Sequence, residues 1–153
     1  MKTRLDYHSK HPAAFKALLQ FSQYVETTNL EHSLLELVKI RASQINACAF
    51  CVHMHTRDAR KAGETEARLY LLSAWRESSL FSPRERAALL WTETITQLTG
   101  QPVSDEIYNE VLEHFLEEDL IDLTVSIGMI NVWNRMNAAF QLAHPVEPME
   151  LAS

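Results

Sequence analysis

The sequence predicts an all-α fold, a single-domain helical bundle of about six to seven helices over residues 1–153. Breakers are few, with three glycines and five prolines in the whole chain. Apolar residues recur at three- and four-residue intervals, and no segment shows the alternation that a half-buried strand requires. A chain of this length also buries roughly 70% of the surface its unfolded form exposes, so one core suffices without a covalent staple.

A first helix opens at Pro12, whose fixed φ suits a first helical position, and carries Phe15, Leu18, Leu19 and Val25. A second covers about Glu31 to Ser43, with Leu34, Leu35, Val38 and Ile40 apolar. The third begins near Asn46, a good N-cap residue, and stops at Gly63, which takes the left-handed conformation readily. A short helix follows around Glu66 to Ala74. Ser82-Pro83-Arg84-Glu85 then supplies a capping box with proline at the first helical position, and this helix runs to about Leu98 before Gly100 and Pro102. Ser104-Asp105-Glu106 opens another, placing acidic charge at the positive end of the helix dipole. A last long helix spans roughly Glu118 to Phe140, and Pro145 and Pro148 mark a frayed tail.

Trp75, Trp91, Trp133, Phe115 and Phe140 follow helical spacing with their apolar neighbours and read as core or subunit interface. No Gly-x-Gly-x-x-Gly occurs, so a dinucleotide site is not expected. A net charge of −6 argues against nucleic acid as a partner, since displacing its counterions needs a basic surface. Arg135 is the only lysine or arginine from Thr99 onward, whereas Arg57, Arg60 and Lys61 cluster after the cysteines. The acidic third reads as a solvated face. Met1-Lys-Thr-Arg-Leu-Asp leads into no apolar core, so no secretory leader is visible and a cytoplasmic location is the expectation. The longest apolar-leaning stretch, Leu120 to Trp133, is broken by Asp122, Thr124, Ser126 and Asn131 and is too short to cross a bilayer about 30 Å thick. No membrane partner is expected.

Only two cysteines are present, Cys48 and Cys51. A disulfide between them closes too small a loop to constrain the unfolded chain, so the pair points to chemistry. At about 100° per residue, Cys48, Cys51 and His55 fall within an arc of about 60° on a helix. His55 lies i+4 from Cys51, close enough for its imidazole to hydrogen-bond the sulfur and favour a thiolate. Cys48 lies nearer the helix N-terminus, where the dipole also favours a thiolate. A dithiol so placed can cycle: one thiolate attacks a peroxide or disulfide, and the other resolves the product into an intramolecular disulfide.

Haem attachment needs histidine directly after the second cysteine, and that position is Val52. For zinc, His53 lies about 140° around the helix from Cys48 and about 160° from His55, and reads as a surface histidine. A zinc site from Cys48, Cys51, His55 and a distant Glu36 stays open, as does the plain alternative of buried cysteines beside a satisfied core histidine. The favoured expectation is no bound metal and no organic cofactor. Lys39 and Arg41 read as solvated helix charges, with Glu36 pairing Lys39 at i+3 on the surface unless a chemical role claims it.

Glu36, Cys48, Cys51 and His55 together match a glutamate, eleven residues, then Cys-x-x-Cys-x-x-x-His. This pattern resembles the AhpD-like alkylhydroperoxidase group within the carboxymuconolactone decarboxylase family. The wording around it is similar too, from Glu36-Leu-Val-Lys-Ile-Arg-Ala-Ser-Gln-Ile-Asn through Arg57-Asp-Ala-Arg-Lys-Ala-Gly63, at Ser82-Pro83-Arg84-Glu85-Arg86-Ala-Ala, and at Ile130-Asn-Val-Trp-Asn-Arg135. The resemblance implies a thiol peroxidase that reduces alkyl hydroperoxides and assembles as a homo-oligomer, trimer or hexamer. It implies that Cys51 attacks the peroxide, Cys48 resolves, and Glu36 orients His55 in a proton relay. It further implies a thiol or lipoyl-protein reductant. For Glu36 to reach the cysteines, the helix must break near Gln44 to Asn46. One departure is Phe50, which stands where the group's namesake has a histidine between the cysteines. Two other readings stand beside this one: a helical oligomer that binds a ligand or partner and keeps the pair as a redox sensor, and a cofactor-free lactone-acid decarboxylase.

Overall fold

The computed structural model describes residues 2–145, and its regular structure among them is entirely helical. Eight α-helices follow one another: α1 (Tyr7–Lys10), α2 (Pro12–Val25), α3 (His32–Ile45), α4 (Ala49–Lys61), α5 (Glu66–Leu71), α6 (Pro83–Thr96), α7 (Asp105–Leu112) and α8 (Glu117–Phe140). A 3₁₀ segment, Leu72–Glu77, links α5 to α6. The count exceeds the six to seven expected because α1 is a single turn, too short to leave a periodic pattern. The expected Glu66 to Ala74 helix is divided: its α part ends at Leu71, and the 3₁₀ segment that follows is itself kinked at Ala74, with φ −117° and ψ 28°. The frayed tail expected at Pro148 lies outside the described residues.

Helix α3 is the axis of the fold and packs against α4, α6 and α8. Its Leu34, Leu35, Leu37, Val38, Ile40 and Ala42 are all buried, and a helix apolar around its circumference belongs inside a bundle. Two apolar clusters flank it. One joins Val38 to Trp91, Leu123 and Ile127 of α6 and α8, and the other joins Leu37 and Ile40 to Ala59, Leu72, Trp75 and Leu89. The predicted start of α6 is realised in full, with Ser82 and Glu85 forming both bonds of the capping box and Pro83 at the first position. Among the described residues, no helix is long and apolar enough to cross a membrane.

Lys39 and Arg41 are not solvated. Lys39 is 3% exposed and donates to both Glu26 and Glu36 at 3.0 Å. Arg41 pairs with Glu93 of α6 at 2.7 Å. Their partners lie in other elements or one turn away, and only the fold turns those positions inward.

Candidate active site at the start of α4

The break expected between Glu36 and the cysteines is present. Asn46 closes α3 rather than opening α4, and Ala47 then takes a left-handed backbone, φ 52°. This sharp reversal makes Cys48 the N-cap of α4, with extended φ −86° and ψ 92°. Its backbone N–H donates to the Ser43 carbonyl at 3.0 Å, and its sulfur accepts from the Cys51 N–H at 3.4 Å. Cys48 therefore shares no regular helical register with Cys51 and His55, but the turn still brings its sulfur to the first turn of α4.

Both thiols are free and buried, Cys51 completely. The Cys48 thiol donates toward the Cys51 sulfur, and this holds Cys51 below its ordinary pKa against the opposing effect of burial. Amide donors from Asn137 and Asn134 and the charge of His55 act in the same direction. Asn137 Nδ2 lies 3.3 Å from Cys51 Sγ. Cys48 goes the other way: its bond to Cys51 and its burial push it up, so the helix N-terminus does not make it a second thiolate. The two neighbouring sulfurs are thus unlike, with the thiolate favoured at Cys51 and disfavoured at Cys48.

His55 occupies the expected face, one turn beyond Cys51, yet its Nδ1 is bonded to Glu36 Oε2 at 2.9 Å. The described hydrogen bonds of the Cys51 sulfur come from Asn137, Asn134 and the cysteine pair rather than from His55. Glu36 itself is 4% exposed. Burial acts against its charge, but bonds from His55 and Lys39 prevail and draw its carboxyl down to about 2. Glu36 is thus a fixed anion. With the proton on Nδ1 facing that anion, Nε2 is the basic nitrogen of the ring.

Cys51 and His55 line a cavity of about 310 Å³ whose walls are largely apolar, including Phe15, Phe50, Met54 and Trp133. Phe50 packs against the cysteine cluster, as expected of an aromatic there. His53 is not a surface side chain: it is half-buried, its ring lies 5.1 Å from that of His144, and its Nε2 has no hydrogen-bond partner among the described residues. Among the described residues, no three His, Cys, Asp or Glu side chains converge as a metal ion would require.

Sequence reasoning did not find Asn137 or Tyr7, whose hydroxyl donates to Asn137 Oδ1 at 2.7 Å. One signal was available. Asn131, Asn134 and Asn137 recur every third residue along the second half of the last helix, and amides stacked on one helix face imply a polar network. Asn46 indeed donates to Asn131 and Asn134 at 2.9 Å each, and Asn134 donates to Ser43 at 2.9 Å.

An uncharacterised protein of Bacillus subtilis (strain 168), YdfG, is 45% identical over 139 residues, covering 91% of this chain and 95% of its own length. The crystal structure of an Agrobacterium tumefaciens protein of unknown function, suggested to be an antioxidant defence protein AhpD, superimposes with a TM-score of 0.93 at 42% identity. That match covers 95% of this chain and all of the other. The debrominase Bmp8 shares the fold, with a TM-score of 0.80 at 18% identity over 90% of this chain and 74% of its own. Residues 12–94, which hold Glu36, Cys48, Cys51 and His55, match the carboxymuconolactone decarboxylase family, and the chain belongs to that family.

Proposed function

We propose that this protein is a thiol-dependent peroxidase, with Cys51 as attacking thiolate and Cys48 as resolving thiol. The observation that supports it most is geometric: Cys48 and Cys51 meet at the first turn of α4, the Asn137 amide lies 3.3 Å from the buried Cys51 sulfur, and Cys51 lines an apolar cavity together with a His55 bonded to Glu36. Cys51 thiolate attacks the outer oxygen of a hydroperoxide, the O–O bond breaks, and the alcohol leaves with one added proton. The sulfur, oxidised by two electrons, is then a sulfenic acid. Cys48 attacks it, a disulfide forms, and water departs with the hydroxyl and the Cys48 proton. His55 moves these protons through Nε2, and Glu36, ionised throughout, fixes the ring. A dithiol reductant, such as a lipoyl group on a carrier protein, returns the two electrons by disulfide exchange.

The cavity also favours a second reading, an apolar-ligand-binding protein whose cysteines sense redox state. Mixing reduced protein with hydroperoxides in a stopped-flow instrument, followed by mass spectrometry of the peptide containing both cysteines, separates the two. A Cys48–Cys51 disulfide formed at a catalytically useful rate, and lost in Cys51→Ser, supports the peroxidase. Thiols that stay reduced under excess peroxide overturn it.

A further inference from the structure

We propose that Asn137 is a further catalytic residue, its side-chain amide holding the Cys51 sulfur in its reactive form, and that Tyr7 is the positioning residue that aims it. The inference rests on Cys51 being the reactive thiol.

The geometry is a directed chain of hydrogen bonds. Tyr7 Oη donates to Asn137 Oδ1 at 2.7 Å, which fixes the amide so that Nδ2 faces Cys51 Sγ at 3.3 Å. All three residues are buried, Tyr7 at 5% exposure, Asn137 at 6% and Cys51 at 0%. A buried amide pinned through its oxygen has no solvent to turn toward, so its N–H remains aimed at the sulfur. A neutral donor suits the task. It stabilises sulfur as an anion and then an oxygen-bearing sulfur without changing charge itself, and it needs no reorganisation during attack.

The N-terminal segment exists in a form that serves this contact. Residues 3 and 4 are tied to the end of α8, with the Arg4 N–H donating to the Phe140 carbonyl at 2.9 Å and the Ala143 N–H to Thr3 Oγ1 at 3.2 Å. α1 follows directly, capped by Asp6, and its one buried side chain is Tyr7. The ring packs edge-on against Phe15 and tilted against Phe140, so the hydroxyl has little freedom. Burial, with the cysteines behind it, pushes the Tyr7 phenol up to about 12, so it keeps its proton to donate.

Several charged or titratable groups also surround the sulfur. Tyr7 and His8 come from α1, Glu26 from the end of α2, and Lys39 from α3, all lining the same cavity. Glu36 lies behind His55, and Cys48 and His55 belong to the α4 turn itself. α8 faces the cavity with Met129, Ile130, Trp133 and Asn137, and of its two amides near the sulfur Asn137 donates at 3.3 Å, while Asn134 acts more weakly and also donates to Ser43.

The test is the pH dependence of Cys51 alkylation by iodoacetamide in the reduced full-length protein, read by mass spectrometry so that Cys48 is scored separately. Asn137→Ala should raise the midpoint by about one pH unit, which below the midpoint is about a tenfold slower reaction. Asn137→Asp restores the volume but replaces the donor with an acceptor, so it should raise the midpoint at least as far; a packing role would instead be rescued. Tyr7→Phe should give a smaller shift in the same direction, and adding it to Asn137→Ala should give no further shift. An unmoved midpoint in Asn137→Ala or recovery in Asn137→Asp overturns the role of Asn137. Additive shifts in the double variant overturn that of Tyr7. Alkylation is read without peroxide, so the midpoint shifts stand even if hydroperoxides leave the wild-type thiols reduced, an outcome that defeats only the peroxidase reading.

Discussion

Two buried glutamates, each bonded to a cation of α3, are held by different companions. Glu93, on α6, receives Trp75 Nε1 at 2.9 Å and Arg41 at 2.7 Å, and it also pairs with Arg76. Glu36, on α3, receives Lys39 at 3.0 Å and His55 at 2.9 Å. Both carboxyls are drawn below the usual range in spite of burial. The companions differ in what they can exchange. Guanidinium and indole groups keep their protons at all ordinary pH values, so the Glu93 cluster is a fixed brace between α3, the 3₁₀ segment and α6. The His55 imidazole has one nitrogen on Glu36 and a second that is free to give or take a proton, so the Glu36 cluster holds an exchangeable group that the Glu93 cluster lacks. Burying a carboxylate among cations is therefore compatible with both roles, and the titratable partner separates them.

The same substitution at both positions tests that contrast. Glu93→Gln breaks a buried ion cluster and should cost about 3–5 kcal/mol in chemical denaturation while leaving the Cys51 alkylation midpoint unmoved. A midpoint shift there would erase the distinction.

Acid should act next most strongly. The Glu36 pKa is depressed in the folded protein, about 2 against an ordinary 4.5, so its contribution is present in full above 4.5 and is lost as pH falls through about 2. At about 1.4 kcal/mol per unit this amounts to roughly 3 kcal/mol. Denaturation followed between pH 5 and pH 2 should show a steep loss in wild type and a shallower one in Glu36→Gln. Equal slopes would mean that the ionised carboxylate contributes nothing.

Glu36→Gln should also slow oxidation of Cys51 by hydroperoxide about 10- to 100-fold at neutral pH, since the imidazole loses its anionic anchor but keeps a hydrogen-bond partner. An unchanged stopped-flow rate would place Glu36 with Glu93 as a brace. The smallest effect is expected at Ala47, whose left-handed φ of 52° favours glycine. Ala47→Gly should raise stability by about 1 kcal/mol or less, read as a shift in the denaturation midpoint. A loss of stability would show that the methyl group is needed where the chain turns toward Cys48.

Features written in neighbouring residues were legible in the sequence. The capping box at Ser82 is a contract among four consecutive residues, and the face shared by Cys51 and His55 is a property of one helix. Asn46 misled because asparagine serves equally well at either end of a helix, and the left-handed turn that decides between them falls on Ala47, a residue with no preference for it. Lys39 and Arg41 misled for a different reason. Their spacing is that of a surface helix, and only the arrival of Glu26 and Glu93 makes burial tolerable. The donors to the Cys51 sulfur lay furthest from view, because Asn137 is 86 residues downstream and Tyr7 is 130 residues from Asn137.

The donor set around Cys51 also bears on electron affinity. Bonds that favour a thiolate exist while the pair is reduced and are forfeited once its charge disappears into a disulfide. If the pair cycles as proposed, each such bond biases the two-electron couple toward the dithiol, and every tenfold of bias raises its potential by about 30 mV. The amide that readies Cys51 for attack thereby makes the resulting disulfide a more eager acceptor, so activation of the first half-reaction and ease of return from the second have a common origin.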